Sequence, residues 1–287
     1  IADGKWKDEG KHINYLISMN SDEKIVSTLI VTEFRSDISI VMVTRNGQIK
    51  RTFLNEFSAV RYSKPINCMR LLRDDEMVDA KMVTGNSDIL VLTENGAATF
   101  FNESELTPIS LKGSGVKAIS SLKHNALVGI LTYEPDEKGK IVALTAQGHI
   151  RVFDIGYVQK TARLGKTQYF MKCFKSDPHT LVYFDKIDRK ESLVQINTLT
   201  SKTSLLPIQL DDFRPVPVDK YAKKNIDTLG EDETVLGVYH QEIAVVNSKT
   251  KTYEPVLVVK EAVTVDTTVD EDNEAYEQIS IFDDLGD

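Results

Sequence analysis

Apolar and β-branched residues come in short strand-length blocks bounded by Asn, Ser, Asp and Gly, and no stretch keeps the 3.6-residue period of a helix. The clearest blocks are ISIVMVT and QIKRTF, which flank Asn46-Gly47 and predict a β-hairpin, since that pair tolerates the positive φ of a tight turn. This hairpin returns twice. Residues 39–57, 88–106 and 140–158 align over 19 positions without a gap, with Thr44, Thr93 and Thr145 in register and Gly47, Gly96 and Gly148 in register. The glycines stand 49 and 52 residues apart, a period that belongs to radial or solenoid arrays of small sheets.

Around each hairpin the same reading places further strands. A first unit is INYLISM, KIVSTLIVTEF, ISIVMVT and QIKRTF; a second is INCMRLL, EMVDAKMVT, ILVLT and AATFF; a third is VKAISSL, ALVGILTY, IVALT and HIRVF. A fourth is degraded (YFMKCF, TLVYFDKI, SLVQINT, SLLPIQL), and a shorter fifth ends near Lys260. The expected fold is all-β: a propeller-like ring of about six four-stranded blades over residues 1–260, closed or with an open seam, each sheet covering its apolar face on its neighbour. The absent helical period excludes a doubly wound α/β fold.

Charge then divides the chain. The formal net charge of -8 argues at first against a polyanionic partner. Ten of the 43 acids, however, lie in residues 261–287 with no Lys or Arg, so the remainder carries 35 basic residues against 33 acidic ones. Residues 261–287 are therefore expected to be a disordered acidic tail, either a solubilising end or a competitor for a basic surface in cis. Within the body, positive charge recurs once per repeat in the connections between units. Residues 57–73 hold Arg61, Lys64, Arg70 and Arg73; residues 106–133 hold Lys112, Lys117 and Lys123; residues 155–176 hold Lys160, Arg163, Lys166, Lys172 and Lys175; none of these stretches contains an acid. Residues 214–226 add Arg214, Lys220, Lys223 and Lys224 against Asp219. Stacked in register, such clusters form a basic band around one rim, suited to a duplex bent round the outside and bound through phosphates rather than base edges. The plain alternative is that these residues keep loops soluble. Tyr62, Tyr157, Tyr169 and Phe170 lie among them and either stack on bases or pack between blades.

The run Val43-Thr44-Arg45-Asn46-Gly47-Gln48-Ile49-Lys50-Arg51-Thr52, followed by Leu54-Asn55-Glu56-Phe57, resembles the repeat of the C-terminal domain of bacterial type IIA topoisomerase A subunits, the gyrase A and topoisomerase IV A family. That resemblance implies a β-pinwheel that exchanges strands between blades, binds and bends double-stranded DNA along its edge, and carries no catalytic site. Lys50 and Arg51 at the exit of the first hairpin, with Lys5, Lys7 and Arg151, complete the candidate DNA contacts. The gyrase-box pattern Q-R-R-G-G-K-G is not found; 5–12, 112–117 and 163–166 are only fragments of such a pattern, so the resemblance leans to the topoisomerase IV branch of Gram-positive bacteria. By the same resemblance, ATP and Mg²⁺ would be bound elsewhere in a heterotetramer that pairs the whole A subunit with an ATPase B subunit, and this part would position DNA for decatenation and relaxation. The competing function is a propeller serving as a protein-interaction scaffold without DNA binding.

Other chemistry adds little. Cys68 and Cys173 show no CxxC spacing and read as reduced thiols, and His12, His124, His149, His179 and His240 show no metal-ligand spacing. Acid runs at 74–76, 136–137 and 231–233 read as solvated turns. No run approaches the ~20 apolar residues of a membrane helix, so the expectation is a cytoplasmic, nucleoid-associated protein. Opening at Ile1 without Met, the chain reads as part of something longer.

Overall fold

In the computed structural model, the described residues are 15, 17, 19–20, 22–58, 65–120, 122, 125–171, 179–187, 192–201, 205–209, 215, 223–224, 229 and 232–244. They are all-β apart from three short 3-10 turns. Among the described residues, three four-stranded antiparallel sheets and one three-stranded sheet are present, in keeping with the pinwheel that the family resemblance implies.

Each of the first three sheets is built on one copy of the repeated hairpin. β1 (Ser39–Thr44) pairs with β2 (Gln48–Phe53), β4 (Asp88–Thr93) with β5 (Ala97–Asn102), and β8 (Lys140–Thr145) with β9 (His149–Asp154). The repeated threonine closes the loop: Thr44 Oγ1 accepts the amide of Gln48 at 3.0 Å, Thr93 Oγ1 that of Ala97 at 3.0 Å, and Thr145 Oγ1 that of His149 at 3.1 Å. Gly47, Gly96 and Gly148 have φ of 90°, 78° and 77°, while the two residues before each do not have positive φ. The loop is thus the three-residue kind with glycine alone in the left-handed region, rather than an Asn-Gly two-residue turn. Gln147-Gly148 therefore serves as well as Asn46-Gly47.

The first strand of each hairpin is buried along its whole length or nearly so, because both its faces are covered. Val41 and Val43 join Ile89 and Val91 in the core between the first two sheets. Leu90 and Leu92 join Ile141 and Ala143 between the second and third, and Val142 and Leu144 meet Val235 beyond. Period-2 side chains on one strand thereby serve two cores, which is why these strands read as continuous apolar runs.

The other two strands of each sheet correct the expected units. β3 (Met77–Val83), β7 (Leu127–Tyr133) and β11 (Leu181–Ile187) pair with β1, β4 and β8, so each sheet takes the strand that follows its hairpin, not those that precede it. The fourth strand comes from the next repeat's connection: β6 (Val116–Lys117) pairs with β2, β10 (Gln168–Tyr169) with β5, and β14 (Lys223–Lys224) with β9. Residues 24–34 and 66–72 form no strand; Leu29, Val31, Phe34 and Met69 instead cover the outer face of the first sheet around Ile40 and Met42. Gly115 fits the exchange closely, because a Cβ there would sit 2.8 Å from the Ile49 carbonyl oxygen. The fourth sheet joins β12 (Ser192–Thr200), β13 (Leu205–Gln209) and β15 (Val235–Ala244). The acidic tail at 261–287 and the opening residues 1–14 lie outside the described residues.

A partly buried carboxylate sits where β3 meets β7. Asp79 accepts the amides of Ala80 (2.8 Å) and Ile130 (3.1 Å), and burial pushes its carboxyl above the usual aspartate range against the pull of Lys81. The folded state then holds this proton more tightly than the unfolded state. Its contribution favours folding on the acid side and declines as pH rises from about 4 through the native value. Denaturation midpoints followed from about pH 4 to 7 should show the Asp79→Asn variant gaining on the parent as pH rises; parallel profiles would contradict this.

Candidate nucleic-acid interface

Each connection leaves its hairpin through a 3-10 turn, and the second and third run back to complete the preceding sheet before entering their own. The returning segments are fastened the same way twice. Ile109 N donates to the Arg51 carbonyl (2.8 Å) and Thr161 N to that of Phe100 (2.7 Å). Leu111 N donates to the Glu56 carboxylate (3.3 Å) and Arg163 N to that of Glu105 (2.7 Å). Glu56 and Glu105 are the same position of the hairpin repeat, so this acid docks the next connection.

This docking sets the connections side by side. Arg70 N donates to the Gly113 carbonyl (3.1 Å), joining the first connection to the second, and the Arg163 guanidinium donates to the Lys117 carbonyl, joining the second to the third. Arg70, Arg73, Lys112, Lys117 and Lys166 are exposed along this strip. Among the described residues, Lys112, Lys117 and Lys166 make no ion pair with an acid. The connections are acid-free in sequence but not in space, since the hairpins bring Glu56 and Glu105 among them. Lys160, half exposed, reaches the buried Asp88 carboxylate at 2.5 Å and lies 5.8 Å from the centre of the Phe100 ring.

Three of the sequence candidates are not free rim cations. Lys50 is fully buried, and its ammonium donates to the carbonyls of Cys68 (2.8 Å), Leu111 (2.8 Å) and Gly113 (3.2 Å). Burial draws it below the usual lysine range despite the charge of Glu56. Arg151, at the equivalent position of the third hairpin, is 2% exposed. Arg51 spends its guanidinium on Glu103, 2.9 Å from a carboxylate oxygen. These side chains emerge from strands covered on both faces, Lys50 against the connections and Arg51 against the second hairpin, so they point into the joints and not to solvent. Lys223 and Lys224 form β14; Lys5, Lys7, Arg61, Lys64, Lys123, Lys172 and Lys220 lie outside the described residues. Of the aromatic candidates, Phe170 packs against Phe153 in the core, whereas Tyr157 and Tyr169 are 47% and 58% exposed on the third connection. His149 and His179, distant in sequence, stack with ring centroids 3.8 Å apart.

The fold is similar to that of known proteins. Residues 39–84 match the family model of the DNA gyrase C-terminal domain, beta-propeller. The chain is 30% identical over 183 residues to the A subunit of DNA topoisomerase 4 from Bacillus subtilis (strain 168), and 28% identical over 182 residues to its counterpart from Staphylococcus epidermidis. These alignments cover 63% of this chain and 22% of each relative, so the chain spans about a fifth of their length. The crystal structure of the C-terminal domain of DNA topoisomerase IV superposes with a TM-score of 0.74 at 27% identity, covering 84% of this chain and 73% of that one. The DNA gyrase A C-terminal domain shares the fold, with a TM-score of 0.66 at 14% identity over 82% of this chain and 76% of that one. In its hairpin repeat, its exchanged fourth strands and these matches, the chain is similar to the C-terminal pinwheel domains of the gyrase A and topoisomerase IV A family.

Proposed function

We propose that the chain binds double-stranded DNA without sequence preference along the strip formed by its connections and bends it, positioning DNA segments for a topoisomerase IV. Strand cleavage would lie in the rest of the A subunit, and ATP hydrolysis, with its Mg²⁺, in a partner B subunit; the complex would work on nucleoid DNA in the cytoplasm. The observation that carries this reading is the docking of three successive connections against one another, which gathers Arg70, Arg73, Lys112, Lys117 and Lys166 on one exposed strip. Cations spaced along a strip match the regular phosphates of a duplex, and each neutralised phosphate releases counterions.

The test follows from that physics. Binding to a duplex of about 30–40 bp should be measurable at ~50 mM salt and weaken steeply as salt rises. Lys112→Glu, Lys117→Glu and Lys166→Glu combined should weaken binding at least tenfold for every sequence tried and lower the salt slope by about 2–3. A parent chain that binds no duplex at ~50 mM salt would replace this reading with that of a protein-interaction scaffold.

A further inference from the structure

The second and third connections correspond in register, because Leu111 and Arg163 present their amides to the equivalent acids Glu56 and Glu105. The turns that follow also coincide: Gly113 N donates to the Ser110 carbonyl at 2.9 Å and Gly165 N to that of Ala162 at 2.7 Å. In this register, apolar and basic residues have changed places. The second connection reads Leu111-Lys112, with leucine on the docked position and lysine at the exposed tip; the third reads Arg163-Leu164, with arginine docked and leucine at the tip. Leu164 is 46% exposed. Folding gains nothing from this exchange, since it leaves apolar surface in water where the neighbouring repeat has a charge.

The tip is also held firmly. The amide and guanidinium of Arg163 are both bonded, and Gly165 closes the turn so tightly that a Cβ would meet the Ala162 carbonyl oxygen at 2.8 Å. Lys166 follows two residues after Leu164, and the Arg163 guanidinium bonds the Lys117 carbonyl of the second connection. A rigid, apolar, outward side chain between cations fits an element that enters a groove and parts two stacked base pairs while its neighbours grip the phosphates.

We propose that Leu164 is a wedge that unstacks a base step of the bound duplex and concentrates its bend there. The inference rests on the DNA reading above. It places the deformation at the third connection, where a smooth electrostatic wrap would spread it over all connections. Pyrimidine–purine steps unstack most easily, so TA steps should be its preferred sites.

The experiment uses the 287-residue chain and a duplex of about 30–40 bp in which 2-aminopurine replaces adenine at central TA steps, with end-to-end energy transfer reporting the bend. Binding of the parent should raise 2-aminopurine fluorescence and kink the duplex by tens of degrees. Leu164→Lys, which installs the residue of the second connection, should bind within about twofold of the parent or tighter, yet lose the fluorescence rise and part of the bend. Leu164→Ala should lose both signals without added charge. A parent that binds and bends DNA with no fluorescence rise, or a Leu164→Lys variant that keeps it, overturns the wedge and leaves the DNA reading standing. A parent that binds no duplex overturns both.

Discussion

Replacing Lys50 with methionine should destabilise the domain by about 2–4 kcal/mol in chemical denaturation, although an exposed lysine could be replaced at almost no cost. Methionine keeps the length and the apolar stem, so the space beside Met42 and Met69 stays filled. The three donors are lost. The Cys68 and Leu111 carbonyls are then left without the ammonium, and each orphaned acceptor costs on the order of 1 kcal/mol or more, while the Gly113 carbonyl loses its charged donor and keeps the Arg70 amide. Because these carbonyls belong to two different connections, the loss should be felt where β6 crosses to the first sheet. Hydrogen exchange should lose protection first at Arg70 and Ala118, whose amides bond to Gly113 and Gly47. Lys50→Arg should retain much of the stability, since the third hairpin buries Arg151 at the same position. A methionine variant with unchanged midpoint and exchange would show that the ammonium is not the pin.

Lys50 also marks where sequence reading stops. The hairpins were legible because a three-residue loop with a threonine before it and a glycine at its end is a local device, repeated three times with no gap. The continuous apolar strands pointed to sheets covered on both faces. The exchanged strands were not legible: Val116–Lys117 and Gln168–Tyr169 are two residues long, too short to show a period, and their partners lie more than 60 residues away. Grouping consecutive blocks into units was therefore the natural error, and with it came the view of Lys50, Arg51 and Arg151 as rim residues. A lysine in an alternating strand looks like an outward side chain until both faces of that strand are known to be covered. The basic connections were legible as composition. Their adjacency depends on Glu56 and Glu105, whose role becomes visible only once the connections are seen to double back.

The Arg51–Glu103 pair leads to the second large effect. Glu103 is fully buried; one carboxylate oxygen accepts the amides of Gly85 and Ser87, both at 2.7 Å, and the other meets Arg51 at 2.9 Å. It thus ties the turn between β3 and β4 to the second hairpin and fastens that hairpin to β2 of the first sheet. The next interface solves the same problem without charge. Phe100 stands where Arg51 does, Ile155 stands where Glu103 does, and both lie in the second core. Glu103→Ile alone should cost about 3–5 kcal/mol, because it leaves Arg51 buried without its counter-charge and two amides without an acceptor. Arg51→Phe with Glu103→Ile should recover the part due to the stranded guanidinium, giving a favourable coupling of roughly 1–3 kcal/mol between the two sites. The remaining deficit belongs to Gly85 and Ser87, whose amides no apolar pair can satisfy. Strictly additive effects in this double-mutant cycle would mean that Glu103 serves only the turn, and that the first two sheets are held together by their apolar core alone.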